Sequence, residues 1–146
     1  MLGIGGKELS EENAAQTAKA LNIIQPDFIR VHATGIKLES KLGEFVRDGS
    51  FTLQSEEEIV IEQKLFLQQL HEMDSYYVNE HIVNLLLEVR GNLRTEKQEM
   101  LSTIDRFLTL PPDERLLFTV GRRLNIFFRL DDLKKPKLHQ KAGESL

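Results

Sequence analysis

A chain of 146 residues, 40% hydrophobic and 29% charged, is about one domain with room for a real core. Its net charge of −4 supplies no basic field for nucleic acid or an anionic membrane, and no stretch approaches the roughly 20 apolar residues of a membrane helix. Cysteine is absent, which excludes a disulfide, a thiolate nucleophile and a Cys-held zinc or iron–sulfur site within the chain.

Leu2 and Ile4 look like the tail of a buried strand with almost nothing before it, which predicts a chain cut from something larger. Gly3, Gly5 and Gly6 then allow a tight turn. Ser10 is a good N-cap, Glu11 and Glu12 suit the positive end of a helix dipole, and Ala14, Ala18 and Leu21 share one helical face. This predicts a helix over 11–24, stopped by Pro26. Period two follows: Phe28, Arg30 and His32 share one face of a strand, Ile29 and Val31 the other.

A loop at Gly35 precedes a short helix over 38–48 and a turn at Asp48-Gly49. Ser55 with Glu58 forms a capping box, and Ile59, Leu65, Phe66, Leu70 and Met73 continue it as a helix over 56–73. SYYVN at 75–79 has the aromatic and β-branched content of a strand, with Tyr76 and Tyr77 read as its core. His81 to Leu87 is ambiguous between helix and extended chain, and Gly91-Asn92 breaks it. Thr95 and Gln98 offer a second capping box for a helix to about 109, carried by Met100, Leu101, Ile104, Phe107 and Leu108. Pro112 suits the start of a further helix with Leu116, Leu117, Val120 and Leu124 as its buried side. The charged run after Leu133 predicts a frayed tail.

Four histidines, at 32, 71, 81 and 139, stand in no HxxxH or HExxH spacing, so no metal site is expected. The GIGG turn before a helix is either a phosphate or carboxylate cradle built on backbone N–H groups, or a plain tight turn. Arg30 and His32 stand at the carboxyl end of a strand, where α/β folds gather ligands; Arg30 could pair with a ligand carboxylate, or the pair could be partly solvated edge, or Arg30 salt-bridged to a local Asp or Glu. His81-Ile82-Val83-Asn84 reads as a segment that could orient a loop by hydrogen bonds to backbone, or as the start of a helix with a histidine that holds no ligand. The acidic run 56–58 is a helix N-terminus, and the basic residues near the end are too few for nucleic acid.

Three segments, GIGGKELSEENAAQTAKALNIIQPDFIRVHATG, LGEFVRDGSFTLQSEEEIVIEQKLFLQQL and NEHIVNLLLEVRGNLRTEKQEMLSTIDRFL, resemble in order the later part of radical S-adenosylmethionine (radical SAM) Fe–S oxidoreductases, over roughly residues 3–110. The resemblance implies a parent enzyme with a partial (β/α)6 barrel. There a 4Fe-4S cluster on a CxxxCxxC loop cleaves S-adenosylmethionine reductively. That loop is missing here, so the chain is expected to be the C-terminal part, with no catalytic residue of its own and no cofactor held by it alone. Against the family's Gly-x-Ile-x-Gly-x-x-Glu motif, Gly5 and Glu8 fit the second half, while Gly3 stands where Ile is expected. By resemblance the cofactor-facing residues are Gly3, Gly5, Gly6, Glu8, Arg30 and His32.

The expected architecture is therefore α/β: a barrel remnant of one or two β-α steps over 1–54, a helical C-terminal extension over 55–133, and a flexible tail over 134–146. The expected role is to close the barrel and line part of the cofactor and substrate pocket, inactive alone; a non-catalytic helical interaction or regulatory module is the alternative. Expected partners are the missing N-terminal barrel portion and a second copy of the fragment, with no nucleic acid and no membrane, in the cytoplasm. Cutting a barrel should uncover the inner faces of the helices at 11–24 and 56–73, including Leu21, Ile59, Phe66 and Leu70.

Overall fold

The computed structural model describes residues 1–145. Helix α1 (Ser10–Ile24) leads to strand β1 (Phe28–Arg30), helices α2 (Lys41–Arg47) and α3 (Glu56–Gln69), and strands β2 (Tyr76–Val78) and β3 (Gly91–Asn92). Helices α4 (Lys97–Leu108) and α5 (Pro112–Arg123), a 3-10 helix (Leu130–Lys134) and α6 (Pro136–Gly143) complete it. The fold is mixed α/β and mostly helical, with a small three-stranded sheet in the order β1-β2-β3.

β1 and β2 are parallel, with Ile29 opposite Tyr77, while β3 runs antiparallel to β2. Leu2 adds a single parallel bridge to Ala33: its N–H donates to His32 O at 2.8 Å, and Thr34 N–H donates to Leu2 O at 2.8 Å. Three parallel runs thus follow one another in space as in sequence, with α1 between the first two and α2 and α3 between the last two. Parallel neighbours need such helical crossovers.

Ala14 and Ala18, both 1% exposed, let α1 lie close against α3, whose Val60, Phe66 and Leu67 are buried. The inner faces expected to be uncovered are instead closed: Phe66 and Leu70 are 3% and 1% exposed, because the two helices cover each other and the face of the sheet that carries Ile29, Val31 and Tyr77. The capping box forms as read. Ser55 Oγ accepts from Glu58 N–H at 3.2 Å, and Glu58 Oε2 accepts from Ser55 N–H at 2.6 Å. The helix ends at Gln69 rather than 73, since Leu70 turns extended and Met73 is buried from the loop that follows.

Other expectations shift. Ser10 is the first residue of α1, and its hydroxyl donates to Glu62 instead of capping. The second capping box is not formed: α4 starts at Lys97, and Asn92 Oδ1 accepts from Arg94 and Thr95 N–H at 2.9 and 3.3 Å. In α5 the buried side is Leu117, Phe118, Gly121 and Arg122, while Leu116 and Leu124 are 55% and 51% exposed. The reason is Phe127, which stacks on Phe118 (ring centroids 6.0 Å apart) and lies against the bare Cα of Gly121. Tyr77 is core, but Tyr76 points outward. Residues 81–87 form turns, and the segment expected to fray is helical up to Gly143: Pro136 starts α6, and Ala142 is fully buried.

Candidate functional site

The glycine turn is held from below by a carboxylate of the chain itself. Glu62, on α3 and fully buried, accepts from Gly3 N–H with both oxygens at 3.2 Å, from Ser10 Oγ at 3.1 Å and from Asn13 Nδ2 at 2.6 Å. A buried carboxylate must be satisfied in this way. Gly3 and Gly6 take φ of 79° and 63°, and a Cβ on Gly6 would lie 2.7 Å from Thr52 O. Lys7 N–H donates to that same oxygen at 3.0 Å. The loop therefore does have carboxylate-binding geometry at Gly3, and Glu62 fills it. Gly5 is half-buried, and Glu8 is exposed on the outer side.

At the carboxyl ends of the parallel strands the structure places His32 and His81 together, ring centroids 4.0 Å apart and planes tilted by 32°. Arg30 precedes His32 on the same strand face, exposed, and makes no ion pair among the described residues. His32 is half-buried, and its pKa is lowered from 6.5, first by burial, then by His81, Arg30 and the N-terminal ammonium. The Nδ1 of His81 is buried with no partner among the described residues. Arg30 is the fixed positive charge at this edge, suited to a carboxylate or phosphate group.

The segment 81–84, read as one that could orient a loop by hydrogen bonds to backbone, does so through Asn84, helped by Asn79 and Arg122, to which sequence reasoning gave no such role. Asn84, 3% exposed, donates to Val31 O at 2.8 Å and to Asn79 Oδ1 at 2.7 Å, and accepts from Ala33 N–H at 2.8 Å. Asn79 donates to Leu86 O at 2.6 Å. Arg122 on α5, 2% exposed, donates to Ile82 O and Asn84 O at 3.2 and 3.3 Å, and burial lowers its pKa. The helical extension thus clamps the strand-end loop by hydrogen bonds to its backbone. A signal for Glu62 existed: it falls at helical spacing between Ile59 and Phe66, a charge inside an apolar stripe.

Among the described residues no group of three or more His, Cys, Asp or Glu is placed to hold a metal, and no helix is long and apolar enough to cross a membrane. Comparison of the chain with family models, curated proteins and solved structures finds no match in any of the three.

Proposed function

We propose that this chain supplies late β-α steps of a radical SAM Fe–S oxidoreductase, closing the barrel and lining part of its cofactor and substrate pocket. The observation that carries this reading is the succession of parallel runs Leu2, β1 and β2, each joined to the next through helices and all ending on the edge that holds Arg30, His32 and His81. Barrel and open α/β enzymes bind ligands at that edge. The other edge of β1 supports it as well. Beyond the Leu2 bridge it has no strand partner among the described residues, and beside it a slot of about 70 Å³ opens between Ala14, Thr17, Leu21, Ile29 and Arg30. A neighbouring strand running on into Leu2 would lie there.

No residue of this chain fits the cluster, which needs thiolates, so the CxxxCxxC loop must come from the missing barrel portion. When bound, the cluster and S-adenosylmethionine would supply a 5′-deoxyadenosyl radical. Arg30 fits a carboxylate of cofactor or substrate, His32 and His81 wall the same edge, and Gly5 and Glu8 lie on the outer side of the glycine turn. The cytoplasm is the compartment that suits this chemistry.

The test is the reading frame ahead of Met1. An in-frame CxxxCxxC, with 5′-deoxyadenosine released from S-adenosylmethionine by the full-length protein under anaerobic reduction, is the expected result. A stop codon there, with no cluster-bearing partner chain, sinks it. The second reading, a non-catalytic interaction module, is favoured by one observation: Ile23, Ile24 and Phe28 are 77%, 67% and 70% exposed around the α1–β1 junction.

A further inference from the structure

His81 meets the strand-end edge with its two ring nitrogens in different surroundings. Nδ1 is buried and has neither a donor nor an acceptor beside it among the described residues. Nε2 likewise makes no hydrogen bond among them, but it is not enclosed. The backbone around it is held from two helices. Ile82, Val83 and Asn84 present three successive carbonyls to two successive arginines of α5. Arg122 donates to Ile82 O and Asn84 O at 3.2 and 3.3 Å, and Arg123 to Val83 O at 3.1 Å. Arg123 is paired in turn with Glu56 at the start of α3, and Asn84 N–H donates to His81 O at 2.8 Å. With its backbone anchored and its ring packed on His32 at 4.0 Å, His81 keeps Nδ1 inside and Nε2 outside.

That asymmetry decides where the proton of the neutral ring belongs. A neutral imidazole carries one N–H and one bare acceptor nitrogen. A proton on Nδ1 would be an enclosed donor without an acceptor, the rarer kind of unmet group in folded proteins. On Nε2 the proton reaches water or a ligand. Arg30 adds the charge that this N–H lacks. It is exposed, makes no ion pair among the described residues, and shares the strand face of His32. An imidazole N–H and a guanidinium on one edge are both donors, so the complementary group is an oxyanion with at least two acceptor oxygens.

We propose that His81 is the Nε2–H tautomer and that, with Arg30, it forms a two-donor site for the oxyanion of a ligand, a carboxylate or a phosphate. His32 stands between the donors, following Arg30 on the strand and touching the His81 ring. Asn84, Arg122 and Arg123 are positioning residues that act through the turn. For its place in an enzyme the site rests on the barrel reading, which gives this edge to cofactor and substrate; the two donors belong to the chain itself.

The isotope-labelled chain tests this without cluster or turnover, so failure here and failure of the barrel reading are separate results. Long-range proton–nitrogen spectra at mildly alkaline pH are expected to show His81 with a protonated Nε2 and a bare Nδ1. Inorganic phosphate and acetate, each titrated against chloride at equal ionic strength, are the probes. At least one should shift the His81 Nε2 and Arg30 side-chain N–H signals saturably, and the tighter of the two names the ligand group. Arg30→Ala should weaken that binding about tenfold, as should His81→Phe, which keeps a flat ring against His32 but has no donor. His81→Gln, whose amide restores an N–H donor, should recover most of the affinity. The proposal is overturned by a proton on Nδ1, by the lack of a saturable shift with either oxyanion, by chloride shifts as large as theirs, or by full affinity in His81→Phe. All but the last are read on the unaltered chain, so a variant that fails to fold does not protect the idea.

Discussion

Gly3 and Glu62 stand 59 residues apart, and the single N–H of Gly3 lies 3.2 Å from each of the two Glu62 carboxylate oxygens. With Ser10 and Asn13 on the same carboxylate, one side chain of α3 fixes both the glycine turn and the first turns of α1. Glu62→Ala should leave Gly3 N–H without its acceptor, strip Ser10 of the same partner and leave Asn13 with Met1 O alone, the lost buried bond of Gly3 costing about 1–3 kcal/mol. Urea unfolding is expected to show a loss at least that large, and amide exchange at Gly3 should speed up. Unchanged stability would mean that water replaces the carboxylate without penalty.

Gly121 faces Phe127 across a gap no side chain can share: a Cβ there would stand 2.4 Å from Phe127 Cδ2. The Gly121 carbonyl also accepts from the N–H of Ile126 and Phe127 at 2.7 and 3.1 Å, which holds both partners in place. Gly121→Ala, although better for an isolated helix, should therefore destabilise by about 1–3 kcal/mol through overpacking. A rise in the urea midpoint would show that the ring yields freely.

These two positions mark how far the sequence is legible. Local signals are read well: Ser55 with Glu58, Pro26 as the stop of a helix that ends at Ile24, and the alternation of Ile29 and Val31 all act within a few residues. The partner of a local signal lies elsewhere in the chain. Nothing near Gly3 names Glu62, and nothing near Leu116 tells that Phe127 will turn α5 toward Phe118 and Gly121. Ser10 and Thr95 have good capping chemistry, but Glu62 takes the Ser10 hydroxyl and Asn92 takes the amides ahead of α4. At the site, Arg30 and His32 are readable from strand period; the contact of His81 with His32 depends on a loop that Asn79, Asn84 and Arg122 hold.

The histidine pair sets a pH dependence through His32. Burial, His81, Arg30 and the N-terminal ammonium all lower the pKa of His32 below 6.5. The unfolded chain therefore takes up the proton first, and stability rises with pH across that range. The contribution is full above about 6.5 and declines as pH falls from there through the lower folded-state value. Urea midpoints between neutral and mildly acidic pH should fall more steeply for the native chain than for His32→Gln. Parallel curves for the two proteins would remove His32 from the account.

If the edge that carries Arg30 faces cofactor or substrate in a complete barrel, its side chains matter more to turnover than to folding. Arg30 is exposed and unpaired among the described residues, so Arg30→Ala should leave the melting temperature nearly unchanged. In the full-length protein, Arg30→Ala and His32→Ala are both expected to lower the rate of S-adenosylmethionine cleavage. Normal turnover by both variants would reduce the pair to surface.

Assembly is the last expectation, and its basis lies in β1. One edge of that strand pairs with β2; the other has, among the described residues, only the Leu2 bridge at Ala33. Unpaired strand edges are templates for another chain. Phe28, 70% exposed, sits on this strand against Tyr76 (ring centroids 6.3 Å apart), and Ile23 and Ile24 stand exposed just before it. An apolar patch beside an open edge is best covered by a second copy, and two-fold pairing covers both at once. The chain alone is expected to be at least dimeric at micromolar concentration, burying about 1,000 Å² or more. Phe28→Lys should shift it toward monomer, because a charge on an exposed edge opposes strand addition. Light scattering coupled to size exclusion decides: a monomer mass for the unaltered chain across that range would show that the β1 edge and its apolar flank are stable in water uncovered.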